Sequence, residues 1–298
     1  MIKMNRIFLF LLLVVFSISL FGCNILLQED DTFKITSTSP VMTSIANELF
    51  DGTNAEINNL LNKEINPKYL TYYPNNLHTS LNSDIILTTG EFDRWFLDTV
   101  NPDSDEINIF GLRGYVSPIR DNYHYWYDFD GVVDFASSFI YVLENEHNDF
   151  FVEHENQILQ NLEEMENKVD NIINDFNEIY YSDVVTINPS FDYLIRALHM
   201  SNYYTISKNI DEELNKNNLN SFFKLVNDSE EINCLINDEL HFNQYREILK
   251  EETKNRDISL NFADLDLMPD LNMSYSEFIT NQLKKLESCL NVGANNGR

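Results

Sequence analysis

Side chains able to hold or transform a ligand are unevenly spread along this chain. Six histidines, His78, His124, His147, His154, His199 and His241, stand far apart, and most of them read as surface residues. His124 alone sits in an aromatic, acid-flanked run, Asp121-Asn122-Tyr123-His124-Tyr125-Trp126-Tyr127-Asp128. Neutral imidazole together with carboxylates is the donor set of zinc- and manganese-type sites. Beside Trp126, the same histidine equally suits a hydrogen-bonded core position. Three cysteines occur, Cys23, Cys234 and Cys289, without a Cys-x-x-Cys pair, which excludes a thiolate zinc knuckle. Cys234 and Cys289 either pair or remain free thiols; their spacing does not decide between the two. No Ser-His-Asp order with a nucleophile elbow, phosphate loop or glycine-rich dinucleotide turn is present, so enzymatic function is not expected.

The first cysteine has a context of its own. Lys3 and Arg6 precede an apolar run from Ile7 to Leu20, and Leu20-Phe21-Gly22-Cys23 follows. A basic start, a short apolar stretch and a small residue at the cleavage point make an export signal. The run is shorter than the roughly 20 apolar residues of a membrane-spanning helix. Leu20 to Cys23 resembles the lipobox of bacterial lipoproteins, in which the cysteine is acylated and becomes the new N-terminus. The resemblance implies a protein anchored by lipid on Cys23 at the extracellular face of the cell membrane. Loss of Lys3 and Arg6 with the leader takes the formal charge from -28 to -30. So acidic a chain does not bind nucleic acid by neutralising phosphate. It is repelled by an anionic membrane surface, so the lipid must do the anchoring. It also concentrates cations around itself.

The remaining chain, about 275 residues, is long enough for two lobes with cores of their own. A strand is expected at Phe33–Thr38, then a helix from Pro40 through Leu49 that ends at Gly52. A helix follows from Pro74 to about Asn82, a buried strand at Ile85–Leu87 closed by Gly90, and a helix near Glu91 carrying Trp95 and Phe96. Phe151, Ile158, Leu162, Met165, Val169, Ile172 and Phe176 recur at threes and fours among polar residues. That pattern predicts one amphipathic helix from Asp149 to Ile179, about 45 Å long. The strand–helix rhythm then resumes, with strands at 183–187, 232–236 and 258–262 and helices at 191–200, 243–252 and 274–290. The expected organisation is a signal peptide (1–22), a lipidated cysteine and tether (23–32), an α/β lobe (33–148), a linking helix (149–180) and a second α/β lobe (181–298).

Five segments carry a resemblance to the metal-binding receptors of ABC importers, of the zinc and manganese type. They are Phe33 to Gly52; Asn66-Pro67-Lys68 through Trp95; Asp121 to Asp128, similar to the family's His-x-Trp-x-Asp; Thr186 to Tyr193, ending in Phe-x-Tyr; and Asn261-Phe262-Ala263-Asp264 followed by Tyr275. The resemblance implies two α/β lobes joined by one long rigid helix, as in periplasmic binding proteins. It implies one divalent ion, Zn or Mn, held by four side chains between the lobes, and a monomer that hands this ion to an ABC permease. Carried over, the four positions are Lys68, His124, Asn188 and Asp264, with Asp266 as an alternative register for the last. His124 and Asp264 are ordinary ligands. Lys68 and Asn188 depart from the family pattern, because a charged ammonium has no lone pair and an amide oxygen is a weak zinc ligand. Lys68 could instead supply the positive charge itself, paired with Asp264. The two departures leave two outcomes open, a receptor holding its ion with a reduced ligand set, and a receptor that binds none and serves as a surface interaction or adhesion lipoprotein. No His- and acid-rich loop of the kind seen in some zinc receptors is present, which leans slightly towards manganese or another metal. Read without the resemblance, Asn188 before Pro189 is a helix N-cap, Asp264 a surface or capping acid and Lys68 a solvated loop residue.

Overall fold

The computed structural model describes residues 32–61, 74–100, 108–119, 121–179, 183–210, 214–228, 232–238 and 243–291. Cys23, Lys68 and His241 lie outside them. In the first lobe β1 (Lys34–Ser37) leads into α1 (Pro40–Leu49). The Ser39 hydroxyl accepts from the Met42 amide at 3.4 Å, and Pro40 brings a pre-set φ to the first helical position. β2 (Glu56–Asn59), α2 (Pro74–Leu81), β3 (Ile85–Thr88), α3 (Arg94–Leu97) and β4 (Ile109–Gly111) follow. The sheet runs β2-β1-β3-β4, all parallel. Ile35, Ile85 and Leu87 of its inner strands are fully buried, as parallel strands covered on both faces must be. β2 and β4 have no counterpart among the expected elements. β2 reads Glu-Ile-Asn-Asn and β4 has three residues; both are edge strands, ordered by pairing and not by an apolar run of their own.

α4 (Phe129–Glu146) is also absent from the expected elements. It buries Val132, Phe135, Phe139 and Leu143 on one face, but Gly131 in its first turn weakens the helical pattern. The glycine is there for space: a Cβ would stand 2.7 Å from Val116 Cγ2. α5 (Asn148–Ile179) has 32 residues, about 48 Å of helix. Its buried stripe is Ile158, Met165, Val169 and Phe176.

The second lobe alternates β5 (Asp183–Thr186), α6 (Asp192–Ala197), β6 (Ser201–Thr205), α7 (Lys216–Asp228), β7 (Cys234–Asp238), α8 (Asn243–Asn255), β8 (Asn261–Leu265) and α9 (Tyr275–Asn291). Its sheet, β6-β5-β7-β8, is parallel throughout. Val185, Phe222, Leu235 and Leu249 centre its core. The helix expected over 191–200 is shorter, because His199 adopts a left-handed φ of 51° and the Met200 amide turns back to the Ile195 carbonyl. The last strand is displaced three residues from the expected 258–262. Ile258 closes the end of α8 by donating to Thr253, and pairing with β7 begins at Asn261. The shift places Asp264 inside the strand, between buried Ala263 and Leu265 and on the opposite face from them. Cys234 and Cys289 form a disulfide between β7 and α9, with Cα atoms 5.5 Å apart.

The chain is therefore two parallel-sheet α/β lobes with one long helix beside both, as α5 packs on α1 and α4 of the first lobe and on α9 of the second. Polar clamps fix the arrangement. Asn161 of α5 donates to the Leu49 and Asp51 carbonyls at 3.0 and 2.9 Å, closing the C-terminus of α1. Glu48 of α1 is buried and accepts from the amide (2.8 Å) and hydroxyl of Ser276 at the start of α9, with Lys168 of α5 at 3.6 Å. One carboxylate thus ties both lobes to the strut. Glu48→Ala leaves Ser276 without an acceptor at a buried helix start, and is expected to cost about 2–4 kcal/mol. Urea unfolding should show a lower midpoint at unchanged slope; an unchanged midpoint would show that the clamp is idle.

Candidate functional site

Residues 117–119 and 121–128 leave the first lobe's sheet and lie against the second lobe. Asn122 Nδ2 donates to the Pro189 carbonyl at 2.6 Å. The Tyr193 hydroxyl accepts from the Ile119 amide at 2.9 Å and donates to the Asn122 carbonyl at 3.3 Å. Tyr127 donates to the Asp266 carbonyl at 2.5 Å, and Tyr275 to the Trp126 carbonyl at 2.7 Å. Burial first, then nearby Asp266 and Asp238, pushes the Tyr127 hydroxyl well above its usual range. Burial likewise raises Tyr275, helped by Glu48 and Asp128. Both therefore stay protonated and keep donating. At the rim Arg196 pairs with Asp128 at 2.7 Å. Burial raises the Asp128 carboxyl, and the guanidinium opposes that rise.

His124 lies in the middle of this seam and is buried. Its Nδ1 is 3.0 Å from Asn122 Oδ1, which also accepts the His124 amide at 2.9 Å. With the Nδ1 proton directed at that oxygen, the ring's lone pair lies on Nε2. Trp126 packs edge-on against the imidazole at 5.0 Å, with Phe92 at 6.3 Å. Phe92 belongs to a turn at the carboxyl ends of β1 and β3. There Asp93 Oδ2 accepts from the hydroxyls of Thr38 (2.6 Å), Thr88 (3.0 Å) and Thr89 (2.7 Å) and from the Thr89 amide (2.6 Å). Gly90 opens the turn at a φ of 105°, a conformation that side chains resist.

Across the seam Asn188 ends β5 as the N-cap of the short turn Pro189–Phe191. Its Oδ1 accepts from the Ser190 amide at 2.9 Å, while its buried Nδ2 has no hydrogen-bond partner. The atom that could ligate a cation is thus occupied in a cap. Asp264 has both oxygens engaged: Arg246 of α8 forms an ion pair with Oδ2, and Asn237 Nδ2 donates to Oδ1 at 3.0 Å. Asp266 is held by Lys285 at 2.7 Å and Gln282 at 3.2 Å. Among the described residues no three His, Cys, Asp or Glu side chains stand close enough to hold a metal ion. The structure thus brings His124 and the Asn188 turn to one seam through Asn122, and gives Asp264 a local cation. Arg246 and Asn237 escape the sequence reading, and Asn122 and Tyr193 stand inside segments it quotes without a role assigned to them. Arg246 left one trace there: a cation in a helix's first turn, where the helix dipole disfavours it.

Residues 35–289 match the model of the family described as ZnuA, zinc-uptake complex component A, periplasmic. The chain belongs to this family. Solved structures with the same fold include FpvC from Pseudomonas aeruginosa in complex with Mn2+, at 13% identity and a TM-score of 0.71, covering 88% of this chain and 100% of that one. The periplasmic zinc-binding protein TroA from Treponema pallidum is 12% identical, with a TM-score of 0.67, covering 87% and 99%. The laminin-binding protein Lmb of Streptococcus agalactiae, described as a bifunctional adhesin and metal transporter, is 13% identical, with a TM-score of 0.71, covering 87% and 99%. No curated protein matches the sequence. Identities this low establish the ZnuA-type fold and leave the ligand set to be argued from this chain's own residues.

The Asp93 turn yields a pH test of how the first lobe's face of the seam is held. Burial pushes the Asp93 carboxyl above its ordinary value, and its four donors only partly offset this. A raised folded pKa gives stability that is present at low pH and is lost as pH rises through the folded value. Asp93→Asn cannot ionise, so its Tm should gain on the parent's as pH rises above the ordinary carboxylate range of about 4. A Tm difference independent of pH would show that Asp93 does not titrate above that range.

Proposed function

We propose that the chain is the extracytoplasmic receptor of an ABC-type importer, and that it takes one divalent metal ion between its lobes for delivery to the permease. Membership of the zinc-uptake family over residues 35–289 carries this reading. The placement of His124 supports it, since the imidazole is fixed by Asn122 and enclosed by Trp126 and Phe92 at the inter-lobe seam. Ligands of open parallel sheets collect at the carboxyl ends of the strands, where Asn188 and Asp264 stand. We assign His124 and Asp264 as metal ligands, with Lys68 and Asn188 at substituted ligand positions. Imidazole and carboxylate oxygen without thiolate favour a harder ion, manganese before zinc. The importer's permease is the partner, the receptor is a monomer, and no catalysis is involved.

The lipid on Cys23 is the anchor we assign, on the strength of Lys3, Arg6, the apolar run and Leu20-Phe21-Gly22-Cys23. The Cys234–Cys289 disulfide fits an oxidising compartment outside the cytoplasm. No helix of the described residues is long and apolar enough to cross a membrane. A second reading, a receptor that has lost metal binding and acts as a surface interaction lipoprotein, draws on one observation: Asp264 and Asp266 are both neutralised by local cations.

Calorimetric titration of the chain from Asn24 onward with Mn2+ and Zn2+ separates the two readings. The receptor reading expects one-to-one binding that is lost in both His124→Ala and Asp264→Asn. Absence of binding in the parent would favour the second reading. Labelled palmitate should enter the parent in cells and not Cys23→Ser; equal labelling would remove the anchor assignment.

A further inference from the structure

The two ring nitrogens of His124 are not equivalent, and the one that carries the proton cannot take a ligand. A single neighbour decides which it is. Asn122 and His124 are both buried, so solvent does not make the choice. The Asn122 amide has one orientation open to it. Its Nδ2 lies 2.6 Å from the Pro189 carbonyl and 3.5 Å from the Ser190 carbonyl, groups that only accept. Its Oδ1 lies 2.9 Å from the His124 backbone amide, a group that only donates. Turned over, the amide would set oxygen against carbonyl oxygen and N–H against N–H, and strand buried groups at both ends. Oδ1 is therefore an acceptor where it meets the ring at 3.0 Å, and Nδ1 is the protonated nitrogen. Trp126 and Phe92 limit the rotation of the ring but offer it no acceptor.

We propose that Asn122 is a positioning residue: the second lobe's backbone, acting through this one amide, selects the Nδ1–H tautomer of His124 and leaves the lone pair on Nε2. The carbonyls that hold the amide belong to the turn after β5, whereas the imidazole belongs to the segment that leaves the first lobe. Docking of the lobes and presentation of the ring are then one event, because the bond to Pro189 that joins the lobes also keeps the amide the right way round. Partners of this kind fix the tautomer and orientation of histidines that serve as ligands. The use of that lone pair for cargo rests on the receptor reading above; the selection of the tautomer does not.

The test reads the imidazole itself and contains no metal. The processed full-length protein is extracted in detergent, stripped of metal with a chelator and isotopically labelled at its histidine nitrogens for nuclear magnetic resonance. Spectra are taken at about pH 8.5, above the ordinary histidine pKa of about 6.5, so that the neutral ring is observed. A His124→Gln sample assigns the signal. The parent is expected to show a protonated Nδ1 and an unprotonated Nε2. Asn122→Ala removes the acceptor and should lose that signature, with the proton moving to Nε2 in part or in whole. Asn122→Asp keeps an oxygen for the ring but cannot donate to Pro189, so Nδ1 should keep its proton. Both variants lose the bond between the lobes, and both should unfold at a lower urea midpoint; the tautomer alone separates positioning from docking. Circular dichroism confirms folding of each, and Asn122→Ser, whose shorter side chain stops short of the ring, replaces the alanine variant should that not fold. An unprotonated Nδ1 in the parent, or a fully protonated Nδ1 in folded Asn122→Ala or its serine replacement, would overturn the positioning role and leave the receptor reading standing. Failure of the parent to bind Mn2+ or Zn2+ in the calorimetric titration would overturn the receptor reading and leave the tautomer result standing.

Discussion

Residues 117–119 and 121–128 belong to the first lobe by chain order and to the second by hydrogen bonding, and the arrangement of the seam depends on this. Each bond across it adds only about 1 kcal/mol net, yet breaking one strands a buried donor or acceptor at greater cost. Asn122 is the pivot: its amide nitrogen reaches Pro189, its carbonyl accepts from Tyr193, and its side-chain oxygen orients His124. The same residue that docks the segment therefore also sets the imidazole. Next to Tyr275, Glu48 joins α1, α5 and α9. With the lobes fixed at the seam and along the strut, a bound ion has little scope to drive a large hinge closure. Small local changes are the expected response.

Charge is distributed with similar economy. The chain carries 48 acids against 20 Lys and Arg, and several of those few cations are placed on partly or fully buried acids. Arg196 meets Asp128, Lys285 meets Asp266, Lys168 meets Glu48 and Arg246 meets Asp264. Isolated carboxylates in partly buried places are costly, so a partner at each is a condition of stability before it is a matter of function.

Much of this was legible in the residues. The threes-and-fours pattern from Phe151 to Phe176 marked the strut, and the run from Asp121 to Asp128 marked the segment at the seam. Asn188 before Pro189 is the N-cap that its residue type suggested, and that role uses the oxygen a metal would need. Other features were hidden for physical reasons. Edge strands β2, β4 and β6 draw their order from pairing and carry little apolar signal. Gly131 obscured α4 because it answers to Val116 across space and not to helix propensity. The partner of Asp264 could not be read at all. Arg246 lies eighteen positions away on another element, and only the register of β8 against β7, three residues from the expected one, brings the two together.

Anomalous diffraction from crystals grown with Mn2+ tests the central claim most directly. The expected result is one strong peak within about 2.0–2.3 Å of His124 Nε2 and an Asp264 oxygen. A peak remote from both residues, or none at all, would contradict it.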